Sequence, residues 1–445
     1  MKRVLSAVLA ICMVFALGAC ASSAGKEEEA KAIADNYITD FTKNEFLKMV
    51  NEYDLTKAMD ENVTAALLKQ VWEEQLLAYC GAFEKVDTQS AEVQKQSGLY
   101  GFVYTLEFAN QNAFVLVALD SDLNISGFVL QGFENKNEKE FSSEVNTADV
   151  EFGEAPYKIS GTVVTGQNAP PNAHCAILFS GSGPNDRKGT IGPNAPYLDI
   201  AEGLAKKGVT VLIFDKRTYT YSSSLPAQLT IQDEYIDDAK YAYDFMAAYP
   251  GVNPDKIYLM GHSQGGNVLP MIAQATNYRA AGYVFLAASA TPMEELMMVQ
   301  IKYLAQLDGT VTTEEQANID LTQQMVDNVK GLTKENASSY SSSALLNVPA
   351  SYWLSLQDYD PVAAAKKISA PMLFLNGDRD YQVPLSEMKQ YQDGLEGMKN
   401  ASFMEIPGCN HIFLKGEGTP TSQEYYVPGT VDPLVIDAVA DFILQ

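Results

Sequence analysis

The chain has 445 residues, 47% of them hydrophobic, which is enough for two or more domains with cores of their own. Its formal net charge is -25, from 56 acidic against 31 basic side chains with no lysine- or arginine-rich run, and this argues against nucleic acid or another anionic polymer as the main partner. The five cysteines (Cys12, Cys20, Cys80, Cys175 and Cys409) show neither metal-ligand spacing nor a disulfide framework, so no cysteine-held metal is expected.

In chain order, Lys2-Arg3 followed by an apolar run over 4–17, too short for a comfortable membrane span, predicts a signal peptide over 1–19. Leu17-Gly18-Ala19-Cys20 resembles the lipobox of bacterial lipoproteins. The resemblance implies lipidation of Cys20, a flexible tether over 20–29 and a protein held at the outer face of the cytoplasmic membrane; plain secretion is the alternative. Helical spacing of apolar residues over 29–42 and 64–79 predicts two helices, with Trp72, Tyr79 and Phe83 as core. Residues 98–106, 113–119 and 125–132 read as antiparallel strands, with Asp120-Ser121-Asp122 as a hairpin turn. A small α+β domain over 30–135 follows, with a polar linker over 136–150. This outline resembles the NTF2-like fold, and a domain of unknown function that precedes hydrolases in exported bacterial proteins.

From 151 to 445 short strands alternate with helices, which predicts a mostly parallel sheet with helices on both faces. Residues 176–179, 209–214, 257–260, 283–287 and 372–376 are near-continuous apolar runs, as buried parallel strands should be. One of these strands runs into Gly261-His262-Ser263-Gln264-Gly265, a Gly-x-Ser-x-Gly turn that holds a serine out at a strand tip and makes Ser263 the candidate nucleophile. A serine hydroxyl needs a base and a carboxylate to orient that base. Of the three histidines, His174 opens an early strand and His262 lies inside the turn. His411, in a loop near the C-terminus, alone fits the order nucleophile, acid, histidine. Asp378 and Asp380 compete for the acid. The stretch Gly377 to Pro384 resembles the Gly-x-x-Asp-x-x-Val-Pro pattern of many α/β-hydrolases, and that register implies Asp380. The oxyanion hole needs two backbone N–H groups. Gln264 follows the nucleophile, and the turn Ser180-Gly181-Ser182-Gly183-Pro184 supplies Ser182, with Gly181 as fallback, although many relatives carry His-Gly where this chain has Ser180-Gly181.

Ser180 to Arg187, Thr190 to Pro193, Asp199-Ile200-Ala201, Gly203-Leu204-Ala205 and Asp215-Lys216-Arg217-Thr218 are similar to a group of bacterial α/β-hydrolase esterases, over roughly 152–445. The resemblance implies an α/β-hydrolase fold with a helical cap over about 290–360, and hydrolysis of carboxylic esters without metal or cofactor. Asp215-Lys216-Arg217 is read as a salt-bridged turn bracing the oxyanion loop, with a substrate-facing cluster as the alternative. Met297 and Trp353 in the cap are the candidate substrate-binding residues. Glu294-Glu295 resembles the acidic pair with which some peptidases hold an amino terminus, and is read instead as complementing a helix dipole. The competing functions are peptide or amide hydrolysis on the same triad and a non-catalytic, lipid-anchored binding protein.

Overall fold

The computed structural model describes residues 24–77, 80–96, 99–136, 138–222 and 224–445. The expected signal peptide, Cys20 and Tyr79 lie outside the described residues. The chain divides into two compact units, Met1–Glu138 with Tyr426–Pro428, and Lys139–Tyr425 with Gly429–Gln445.

The first unit opens with α1 (Ala24–Thr42), α2 (Phe46–Asn51), α3 (Lys57–Asn62) and α4 (Ala65–Gln70), the last continuing into a π-helical stretch, Val71–Leu77. Five antiparallel strands follow: β1 (Phe83–Val86), β2 (Glu92–Gln96), β3 (Leu99–Phe108), β4 (Gln111–Leu119) and β5 (Ile125–Asn135), ordered β1-β3-β4-β5 with β2 also on β3. The β4–β5 turn is closed by Asp120, whose Oδ1 accepts the N–H groups of Asp122 and Asn124. Tyr37, Phe41, Trp72, Phe102, Phe108 and Phe128 form the centre of this unit's core. The sequence pattern missed β1 and β2, which are short and whose residues lack the apolar alternation that marked the other three.

The second unit is an eight-stranded sheet. Its elements are β6 (Val145–Phe152), β7 (Ile159–Gly166), β8 (Ala173–Phe179), α5 (Pro196–Lys206), β9 (Thr210–Phe214), α6 (Arg217–Thr220), α7 (Asp237–Ala247), β10 (Val252–His262), α8 (Gln264–Asn267), α9 (Leu269–Ala275), β11 (Gly282–Leu286), α10 (Met293–Ala305), α11 (Thr313–Lys330), α12 (Ala350–Leu356), α13 (Pro361–Ala365), β12 (Met372–Gly377), α14 (Leu385–Gly394), β13 (Ala401–Ile406) and α15 (Pro433–Leu444). The order β13-β12-β11-β10-β8-β9-β7-β6 is parallel from β13 to β9, with β7 and β6 antiparallel at one edge. Strand β6 occupies part of the stretch expected as linker. Its middle is exposed, as an edge strand's is, so a polar sequence gave no strand signal there. From β8 the chain passes to β9 on one side and returns to β10 on the other, and a crevice opens at the carboxyl ends of strands at such a reversal.

Candidate active site

Ser263 follows β10 directly with φ 56° and ψ -120°. That left-handed backbone is costly for a residue with a Cβ and persists only where the surroundings enforce it. The enforcement is visible: the Ser263 N–H donates to Leu286 O at 2.8 Å, and helix α8 is pressed so closely on β8 that a Cβ on Gly265 would lie 2.5 Å from Phe179 O and 2.6 Å from Ser180 O. Ser263 Oγ has no hydrogen-bond partner among the described residues.

Asp380, in the loop after β12, is buried. Its Oδ1 accepts the N–H groups of Gln382 (2.8 Å) and Val383 (2.9 Å), and its Oδ2 lies 2.7 Å from His411 Nδ1. A carboxylate held in this way only accepts, so His411 carries its proton on Nδ1 and leaves Nε2 as the acceptor. Asp378 is exposed and takes the Gly408 N–H at 2.7 Å, a contact that steadies the histidine loop from outside. That loop packs on the end of β12, where a Cβ on Gly377 would stand 2.1 Å from Cys409 O. Arg379 pins it further, its N–H donating to Cys409 O at 3.0 Å and its guanidinium pairing with Glu424. Cys409 is buried, and burial pushes its thiol up to about 12, so it is a packing residue.

The loop after β8 lies against Ser263: a Cβ on Gly181 would be 3.2 Å from Ser263 Cβ. The Gly181 N–H donates to Tyr197 Oη at 3.0 Å, which removes the fallback donor from the oxyanion hole. No acceptor among the described residues takes the N–H of Ser182 or of Gln264.

His262 has a part that sequence reasoning missed. Its Nε2 lies 2.8 Å from the carbonyl oxygen of His411, and its Nδ1 lies 3.0 Å from Tyr197 Oη. A carbonyl only accepts and an N–H only donates, so the directions are fixed along the chain. The Gly181 N–H donates to Tyr197 Oη, Tyr197 O–H donates to His262 Nδ1, and His262 Nε2–H donates to His411 O. Burial, with a smaller push from His411, holds the His262 ring neutral, its pKa lowered to about 3. The loop after β8 and the loop that carries His411 are thus tied together through the residue preceding Ser263. His174 sits near the start of β8, at the opposite end of the strand from the site.

Met297 and Trp353 lie in the cap's own core with Met298, Val326, Leu345 and Leu346. The Trp353 indole N–H donates to Leu345 O at 2.9 Å. Trp353 also borders a cavity of about 300 Å³ whose lining includes Asn267 and Glu294 but neither Ser263 nor His411. Glu294 and Glu295 stand in the first turn of α10, with Glu295 paired to Lys330 at 2.6 Å.

The chain is similar to several known proteins. Residues 189–417 match the family described as "Serine aminopeptidase, S33". Esterase EstD of Thermotoga maritima is 32% identical over 383 residues, 85% of this chain and 87% of that protein. Polyketide transferase af380 of Aspergillus fumigatus is 28% identical over 149 residues, 34% of this chain and 46% of that one. Among solved structures, Est1E from Butyrivibrio proteoclasticus is 17% identical with a TM-score of 0.42, over 66% of this chain and 97% of its own. With more than half of its length inside the family's sequence pattern and a relative matched along most of both chains, the protein belongs to the serine aminopeptidase S33 family of α/β-hydrolases and is a hydrolytic enzyme related to Esterase EstD.

Proposed function

We propose that the protein is a serine carboxylic-ester hydrolase acting on small to medium acyl esters. The observation that carries this reading is the Asp380–His411 pair at 2.7 Å, on a loop whose His411 carbonyl is bonded by His262, the residue before Ser263 in the strained turn after β10. His411 Nε2 takes the proton of Ser263 as Oγ attacks the ester carbonyl. The N–H groups of Gln264 and Ser182 receive the oxyanion, and His411 returns the proton to the leaving alcohol. Water then repeats the sequence on the acyl-enzyme. Met297 and Trp353 bear on acyl selectivity through the helical segment that holds them, whose Tyr352 accepts from the Gln264 side-chain amide. Cys20 carries the lipid that anchors the enzyme at the outer face of the cytoplasmic membrane. Replacing it with serine is expected to move the protein from the membrane fraction to the soluble one; unchanged fractionation would remove the anchor from the account.

The test of the activity is hydrolysis of p-nitrophenyl esters from acetate to decanoate, with Ser263→Ala in parallel. Turnover abolished in the variant supports the reading, and the chain-length optimum sizes the pocket. The family's description favours a second reading, amide or peptide hydrolysis on the same triad. Turnover of aminoacyl-p-nitroanilides without turnover of esters would establish it. Loss of both, with the protein folded, would leave a non-catalytic binding protein.

A further inference from the structure

The segment Asp215-Lys216-Arg217 contains a side chain that the reaction does not use and that is costly to keep. Lys216 is 2% exposed, and lysine is almost never buried to that extent unless it is paired. Its ammonium has three donors and three partners: Glu234 Oε1 at 3.1 Å, Tyr235 Oη at 2.6 Å and the carbonyl oxygen of Gly181 at 2.9 Å. Glu234 is itself held by Thr218 Oγ1 at 2.9 Å and by Tyr352 Oη of α12 at 2.6 Å. Tyr352 Oη in turn accepts from the Gln264 side-chain amide at 2.8 Å.

Two consecutive peptide groups form the oxyanion loop. In the Ser180–Gly181 peptide, the N–H donates to Tyr197, and the carbonyl, 3.1 Å from Tyr235 Oη, shares that hydroxyl's single proton with the next carbonyl. In the Gly181–Ser182 peptide, the carbonyl accepts from Lys216 Nζ at 2.9 Å, from Tyr235 Oη at 2.8 Å and from Asn185 Nδ2 at 3.1 Å. Among the described residues, its N–H alone is left without a partner. Donors on a carbonyl, above all a cationic one, polarise the whole peptide and strengthen the hydrogen bond its N–H makes on the other side. We infer that Lys216, with Tyr235, is a positioning residue of the oxyanion hole, fixing and polarising the Gly181–Ser182 peptide so that the Ser182 N–H meets the developing oxyanion. Glu234 neutralises the buried cation, and through Tyr352 the cap is wired to the same network.

This rests on the ester-hydrolase reading above, and the test keeps the two apart. A trifluoromethyl ketone imitates the tetrahedral intermediate. Ser263 Oγ bonds to the ketone carbon, its proton passes to His411, and the carbonyl electron pair becomes an oxyanion held in the hole. The full-length chain, Lys216→Met, Tyr235→Phe and Ser263→Ala are compared for p-nitrophenyl acetate turnover, ketone inhibition constant and thermal unfolding midpoint. Removing a whole oxyanion donor costs about 100- to 1000-fold in kcat, so weakening one is expected to cost about 10- to 100-fold. In Lys216→Met the inhibition constant should rise by the same factor as kcat falls, with KM moving less than about twofold. Tyr235→Phe keeps the Lys216–Glu234 pair, should lose less in the same two quantities, and carries the test if Lys216→Met does not fold. An inhibition constant unchanged while the unfolding midpoint falls would overturn the inference and leave a structural ion pair. A parent chain neither inhibited nor distinguishable from Ser263→Ala would overturn the ester-hydrolase reading and this inference with it.

Discussion

His262 shows how one side chain can serve two loops. Between its folded pKa of about 3 and the ordinary histidine value of about 6.5, the unfolded chain binds a proton that the folded one refuses. Stability therefore rises with pH across that window, by up to about 1.4 kcal/mol per pH unit from this group, and its contribution is fully present above about pH 6.5. Urea unfolding of His262→Gln at about pH 4.5 and about pH 6.5 should show this part of the slope removed. Asp380 and Asp378 form a contrasting pair two residues apart. Asp380→Asn offers His411 Nδ1 a partner that no longer dictates the tautomer, and kcat for p-nitrophenyl acetate should fall by roughly 10⁴-fold. Asp378→Asn changes only an exposed acceptor for Gly408 N–H, and is expected to stay within about tenfold of the parent.

At the scale of elements, the site depends on how closely α8 sits on β8. Gly265→Ala puts a methyl group against the backbone carbonyls of Phe179, the last residue of a central strand, and of Ser180, the first residue after it. Overpacking of this kind costs about 1–3 kcal/mol, and here the displaced strand carries the oxyanion loop. A lower unfolding midpoint together with lost turnover is the expected result, and full activity would show that the turn can relax. The cap is held differently, by its own cluster and by α12, where Ser351 Oγ and Ser355 Oγ bond Leu229 O and Ile231 N–H. Trp353→Ala should cost about 3–5 kcal/mol within that cluster. Amide exchange faster over 293–356 than in the parallel sheet would locate the damage, and uniform loss of protection would show that cap and sheet unfold together.

For the whole molecule, each unit has a core built from its own residues, one around Phe41 and Trp72 and the other against the parallel sheet around Phe179, Phe285 and Phe374. A chain of residues 139–445 is expected to fold and keep kcat within about twofold of the parent. The sequence alone was enough for the parallel strands and for the smaller antiparallel sheet ahead of them, and it singled out Ser263 and His411 as candidates, because apolar periodicity, glycine spacing and chain order are local signals. It was not enough to see β6, whose exposed middle leaves no apolar pattern, or to give Lys216 its partner 35 residues back at Gly181 and His262 its partner 149 residues on at His411. Those roles arise when separate strands end side by side and buried polar groups must each find a partner. No local pattern records which partner that will be, so Asp380 could be set apart from Asp378 only by resemblance until the fold brought one carboxylate inward against His411 and left the other exposed.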